Sequence, residues 1–194
     1  VLPVSGLALV IFPVVIHGML KDGVPSWVPT YISETFLTSP SLSILVTTVL
    51  PVINLTGAYA AQLIYPRCRR REVETAAVFF AAATAALAGL RLAGSVSMIL
   101  TAVLFAVITA SMMAVNTVFV NLLPLRFEKT GRVSTVSGFL NAMAYLGTAV
   151  STFTIGVMVE KFGWDVTIDT WVALTAAALV LCVIKRKKVF RIPE

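Results

Sequence analysis

Apolar runs of about 20 residues recur along the whole chain, and an α-helix needs a run of this length to cross a lipid bilayer. Hydrophobic residues make up 58% of the sequence and charged residues 12%, with a mean hydropathy of +0.95. These values exclude an ordinary soluble domain. The sequence therefore predicts an all-α, polytopic membrane protein whose helices are embedded in the lipid bilayer.

Turn-forming and basic residues divide the chain into six predicted membrane-spanning helices that form one bundle. Their approximate bounds are 4–36, 41–65, 73–92, 97–123, 133–159 and 166–184, followed by a basic tail at 185–194. Most of the 15 lysines and arginines fall in the second connection, the fourth connection and the tail. Such an asymmetry predicts that both termini lie in the cytoplasm, and we expect the plasma (inner) membrane. It also accounts for the net charge of +6 without a nucleic-acid partner.

The first predicted span carries charged residues in its middle. Lys21, Asp22 and His17, the one histidine of the chain, lie there between apolar residues. A charge near the centre of a spanning helix costs a few kcal/mol, so it normally faces a water-filled cavity or a partner. Prolines at positions 13, 25 and 29 are expected to bend this helix and to free carbonyl groups that neighbours or water must bind. A bent helix with a buried cation is typical of a solute pathway.

Lys21 is the main candidate for a binding residue, as an anion-binding cation in a central cavity. The alternative is a structural ion pair or a side chain that snorkels to the interface. His17 lies one turn away on the same face and is either a packing residue or a contact for substrate or a proton. Asp22 is predicted to point about 100° away from Lys21, to pair poorly with it, and to meet another helix or the outer mouth.

Uncharged polar residues near mid-span supply the other candidates for substrate binding. Asn54, Asn116 and Asn141 are predicted to line the cavity, and interhelical hydrogen bonding is the alternative for each of them. Tyr145 is predicted to reach a substrate oxygen through its hydroxyl, or else to serve as an amphipathic wall residue.

Catalytic and metal-binding motifs are missing from the sequence. It contains no HExxH, CxxC or GxSxG motif and no glycine-rich phosphate loop, and a single histidine is too few for the usual metal ligand sets. We therefore predict that the protein is not an enzyme and that it has no cofactor and no metal site.

The run Lys21–Tyr31 resembles the seventh helix of the organophosphate:phosphate antiporters of the major facilitator superfamily, with a basic residue, Gly-Val, Trp and Pro-Thr-Tyr at this spacing. Tyr145-Leu146-Gly147 and Phe162–Asp165 look like the eleventh helix of that family and the loop after it. The resemblance implies that the chain is the C-terminal six-helix half of a twelve-helix transporter, whose N-terminal half would be its partner. It also implies that Lys21 binds the phosphate group of the substrate, where the family usually has arginine.

The resulting hypothesis is a secondary active transporter that exchanges a small organic phosphate, or another organic anion, for phosphate by alternating access. Two alternatives stay open. The chain is either a transporter-like membrane sensor of phosphorylated metabolites, or a truncated half-transporter without activity of its own.

Overall fold

The computed structural model of the protein describes residues 4–185, which form helices and short connections without a β-strand. The predicted basic tail beyond residue 185 lies outside the described residues. Within residues 4–185 there are seven α-helices, two π-helical turns and one 3₁₀-helix. They are α1 (Val4–Gly18), a π turn (Met19–Gly23), α2 (Val24–Phe36), α3 (Pro40–Thr47), α4 (Leu50–Arg67), α5 (Glu72–Ala93), α6 (Met98–Asn116), a second π turn (Thr117–Leu122), the 3₁₀-helix (Leu123–Thr130) and α7 (Val133–Lys185).

Five helical stretches of the described chain are long and apolar enough to cross a membrane. They are Leu7–Phe36, Pro40–Arg67, Glu72–Ala93, Met98–Thr130 and Val133–Ile184. The length and composition of these helices confirm the prediction of a helical membrane protein, whereas the division into six spans stays a prediction.

The first stretch stays helical through all three prolines and is disturbed only in the π turn Met19–Gly23. Pro25 follows this turn directly. Proline has no N–H to offer the carbonyl four residues earlier, which is that of Lys21, and its ring crowds that carbonyl. A widened π turn relieves such crowding without ending the helix. The predicted bend thus takes the form of a local widening that contains Lys21.

The last two predicted spans are joined into one helical stretch, α7, which leaves helical geometry at a single residue, Gly163 (φ 78°, ψ 176°). The sequence predicts a longer loop between positions 160 and 165. The loop can be this short because glycine adopts a backbone conformation that is closed to other residues.

Replacing Gly163 with alanine is expected to destabilise the protein by about 1–3 kcal/mol, because an L-residue is strained at this φ and ψ. A Cβ at this position would meet no atom within 4 Å, so the effect would come from the backbone alone. The free energy of unfolding in detergent would measure it. Gly138→Ala is the matched control, since Gly138 is helical and also has open space around it. Equal stabilities of the two variants would contradict this account of the break.

Polar side chains gather around Gly163 in a group that we call the Arg91 layer. Nε and Nη1 of Arg91, near the end of α5, lie 3.1 Å from Asp169 and 3.4 Å from Asp165. Nε1 of Trp164 donates to Glu34, near the end of α2, at 2.7 Å. The ends of α2 and α5 and the break in α7 therefore lie at the same end of the bundle.

A second polar group, the Glu72 layer, lies at the start of α5. Oε1 of Glu72 accepts hydrogen bonds from the hydroxyl of Tyr65 at 2.7 Å and from Nε of Arg126 at 2.8 Å. At 1.5 Å per residue, about 28 Å of α5 separates Glu72 from Arg91. This separation is close to the thickness of a bilayer's hydrocarbon core.

Helix α1 and the first part of α7 pack closely because both carry glycine at the contact. A Cβ on Gly18 would collide with the carbonyl of Ala144, and a Cβ on Gly147 would collide with the carbonyl of Val15. Further along, the ring of Trp27 packs against α7. Residue numbers increase together from the Gly18–Ala144 contact through Gly23–Ser151 to Trp27–Gly156, so α1 and α2 run parallel to the first part of α7.

Candidate functional site

Lys21 lies in the π turn and is mostly buried, with 17% of its side chain exposed. At 1.5 Å per residue, about 20 Å of helix separates it from Glu34 in the Arg91 layer, and about 21 Å separates it from Leu7 in the apolar stretch Leu7–Phe36. The ammonium therefore belongs to the middle of this helical stretch. A cation at such a place needs a partner or water.

The partner of Lys21 in the structure is its neighbour in sequence. Nζ of Lys21 lies 2.9 Å from Oδ2 of Asp22. The prediction that Asp22 points away from Lys21 and pairs poorly with it is wrong. Two features explain the contact: the π turn reduces the rotation between successive residues, and the four-carbon lysine chain is flexible enough to turn back toward the carboxylate. The ion pair, which was the structural alternative for Lys21, is therefore present.

Asp22 also meets another helix, as the sequence analysis proposed. Its Oδ2 lies 3.3 Å from the hydroxyl of Thr148 on α7. This hydroxyl is closer to the carbonyl of Gly18, to which it donates at 3.0 Å, and the hydroxyl of Ser151 donates to the carbonyl of Met19 at 3.1 Å. Helix α7 thus binds carbonyl groups beside the π turn, as a disturbed helix in a membrane requires.

His17 is fully buried and connects α1 to α6. Its Nε2 lies 3.2 Å from Oδ1 of Asn116, so the imidazole N–H is placed to donate to the amide oxygen. Its Nδ1 is buried without a hydrogen-bond partner in the described part of the chain. Asn116 directly precedes the second π turn, and one residue, Gly18, separates His17 from the first π turn. The structure therefore brings these two predicted site residues together.

The other three predicted residues are not joined to this pair. Asn54 accepts a hydrogen bond from Thr109 at 2.6 Å, and about 10 Å of α6 separates Thr109 from Asn116. Asn141 is partly buried and its side chain makes no hydrogen bond within the described residues, and Tyr145 is 59% exposed. Asn141 and Tyr145 share a side of α7 with Thr148, because residues three and four apart on a helix are neighbours.

A cavity of about 520 Å³ lies between α4 and α6, and none of the predicted site residues lines it. Apart from Thr56, its lining residues are apolar, among them Ile53, Met98 and Val103. An apolar wall offers no compensation for a buried charge. This cavity is therefore unsuited to an anionic substrate, and Lys21 with its neighbours remains the candidate site.

Sequence reasoning missed two features of the site: the pairing of Asp22 with Lys21, and the role of the α7 hydroxyls of Thr148 and Ser151. Threonine and serine are frequent in membrane helices and their side chains commonly bond the preceding turn. The only signal in the sequence for Thr148 is its position three residues after Tyr145, on the same side of the helix.

No model of a known protein family matches this chain, and a comparison with curated proteins gives no significant match.

Proposed function

We propose that the protein is a secondary transporter of the major facilitator type that exchanges a small organic phosphate, or another organic anion, for phosphate. The observation that supports this proposal most is the position of Lys21, a mostly buried ammonium near the middle of an apolar helix that widens around it. An embedded cation of this kind marks a substrate or ion pathway by default. Substrate and phosphate would compete for the same ammonium, which would couple their fluxes.

The proposal takes the chain as six spans rather than five. The stretch Val133–Ile184 has 52 residues, which corresponds to about 78 Å of helix, more than twice the thickness of the hydrocarbon core. Division at Gly163 would give two spans of ordinary length. The contacts of Trp164 with Glu34, and of Asp165 with Arg91, support a connection that lies at the membrane surface.

In this proposal the six spans form the C-terminal half of the transporter, and an N-terminal half completes the cavity. The two halves would rock about the site and expose Lys21 to each side of the membrane in turn. Both chain termini and the basic loops would lie in the cytoplasm, as the asymmetry of lysine and arginine indicates, and the plasma (inner) membrane is the proposed location.

Counter-flow in vesicles tests this function. The complete reading frame that contains this chain would be purified and reconstituted into vesicles loaded with unlabelled phosphate. We expect uptake of labelled phosphate that depends on the internal phosphate, and inhibition of this uptake by organic phosphates. Binding of an organic phosphate without any uptake would contradict transport and favour the sensor instead. The absence of both binding and uptake would contradict the anion site itself.

A further inference from the structure

We infer that the Lys21 site is built for a zwitterion, that is, a small organic phosphate that also carries an ammonium group. This inference rests on the proposed function and specifies its substrate class. It follows from the finding that Lys21 and Asp22 form a charge pair in which each partner keeps unused binding capacity.

The hydrogen bonds and ion pairs of Lys21 and Asp22 show how many donors and acceptors remain free to bind a ligand. A lysine ammonium has three N–H donors and an aspartate has two acceptor oxygens. Within the described residues, the one ion pair of Nζ of Lys21 is with Oδ2 of Asp22, and Oδ1 of Asp22 takes part in no hydrogen bond or ion pair. The exposed fractions are 17% for the Lys21 side chain and 35% for the Asp22 side chain. Both partners can therefore accept a second ion without first breaking their own contact.

The total charge at the Lys21–Asp22 pair favours a zwitterionic ligand over a simple anion. A phosphate alone would put two negative groups beside one ammonium in a partly buried site, and excess charge in such a place is costly. A ligand with both charges binds with its phosphate on Lys21 and its ammonium on Asp22. The ammonium of the ligand then offsets the carboxylate of Asp22, so the site holds one negative charge fewer than it does with a phosphate that lacks an ammonium.

The geometry of the π turn favours a ligand whose two charges are close together. Nζ of Lys21 and Oδ2 of Asp22 are only 2.9 Å apart, and Thr148 on α7 lies 3.3 Å from the same carboxylate oxygen. This carboxylate oxygen therefore lies next to both the ammonium and α7. A linker of about two carbons between the ammonium and the phosphate of the ligand suits this arrangement, and phosphoethanolamine is the simplest probe with that chemistry.

The experiment compares phosphoethanolamine with glycerol 3-phosphate, which has the phosphate but no ammonium. Binding to the complete purified protein would be measured by calorimetry in detergent. We expect phosphoethanolamine to bind at least about tenfold more tightly, because only this ligand makes the contact with Asp22. Asp22→Asn keeps the shape of the side chain and removes its charge. In this variant we expect the preference to be lost and the affinity for glycerol 3-phosphate to rise about fivefold, since Lys21 is then released from its internal partner.

Glu160→Gln is the control, because it also removes one acidic charge but lies on the exposed surface of α7; it should keep the preference of the wild type. Equal or tighter binding of glycerol 3-phosphate by the wild type would overturn the inference and leave the proposed function standing. An unchanged preference in Asp22→Asn would overturn it as well. If neither ligand binds and no exchange is seen, the proposed function fails together with the inference.

Discussion

Replacing Lys21 with glutamine is expected to lower phosphate exchange by the complete protein at least about 100-fold, because the substrate loses the only ammonium in the middle of the first helical stretch. Glutamine has a similar length but no charge, so the phosphate would have to leave water without a compensating cation. Initial rates of counter-flow in vesicles would measure the loss. Lys161→Gln is the matched control, since Lys161 is an exposed lysine on α7, and it should transport like the wild type.

A loss of exchange in Lys21→Gln has a second possible cause, which is misfolding. The substitution leaves the carboxylate of Asp22 without its ion-pair partner in a partly buried place, and an unpaired charge of this kind is destabilising. The double variant Lys21→Gln/Asp22→Asn removes both charges and should restore the stability, but it should not restore exchange. Lys21→Arg should retain substantial exchange, because arginine keeps the positive charge and its planar fork fits phosphate. Wild-type exchange in the double variant would exclude Lys21 as the substrate cation.

The helical class of the protein could be predicted from the sequence because it depends on the length of the apolar runs, which the bilayer fixes. A disturbance of the first helix was also predictable, since Pro25 must free a carbonyl. The sequence did not predict that this disturbance is a π turn. A kink and a π turn both relieve the crowding, and the sequence of the first helix does not show that hydroxyls of Thr148 and Ser151 on α7 bind the carbonyls of Gly18 and Met19 beside the turn.

The candidate site was predictable only in part, because the sequence of one helix does not show which residues of other helices pack against it. Helical periodicity places His17 and Lys21 on one face of their own helix, but it carries no information about the helix opposite. The hydrogen bond between His17 and Asn116 joins residues 99 positions apart, and only the packing of α1 on α6 brings them together. Asp22 was placed wrongly because helical rotation fixes only where a side chain starts, whereas the flexible chain of Lys21 turns back to reach the carboxylate.

The opposite end of α5 gives the second large effect that we expect, this time on stability. Glu72 is buried, with 3% of its side chain exposed, and its Oε1 accepts from both Arg126 and Tyr65. Arg126 in turn donates through Nη2 to the carbonyl of Arg70 at 3.0 Å. The carboxylate of Glu72 thus connects the end of α4, the start of α5 and the 3₁₀-helix, and Arg126 extends this network to the loop after α4.

Glu72→Ala is therefore expected to destabilise the protein by about 3 kcal/mol, since it leaves the guanidinium of Arg126 and the hydroxyl of Tyr65 around a gap without an acceptor. Unfolding in detergent would measure the change. Glu74→Ala provides a matched control within the same helical turn: Glu74 also pairs with an arginine, Arg71, at 2.8 Å, but the arginine side chain is 50% exposed. An exposed pair contributes about 1 kcal/mol or less, so this variant should remain close to the wild type.

The comparison of Glu72 with Glu74 separates burial from charge, because both residues are glutamates paired with arginine at the same 2.8 Å. If the ion-pair distance alone determined the contribution, the two variants would lose equal stability. If burial determines it, only Glu72→Ala loses several kcal/mol, and replacing Glu72 and Arg126 together with methionine should recover most of the loss, because no unpaired charge then remains. The double variant would also lack the hydrogen bond from Tyr65 and the contact to the loop carbonyl of Arg70, so any stability that it fails to recover measures what these two contacts contribute together.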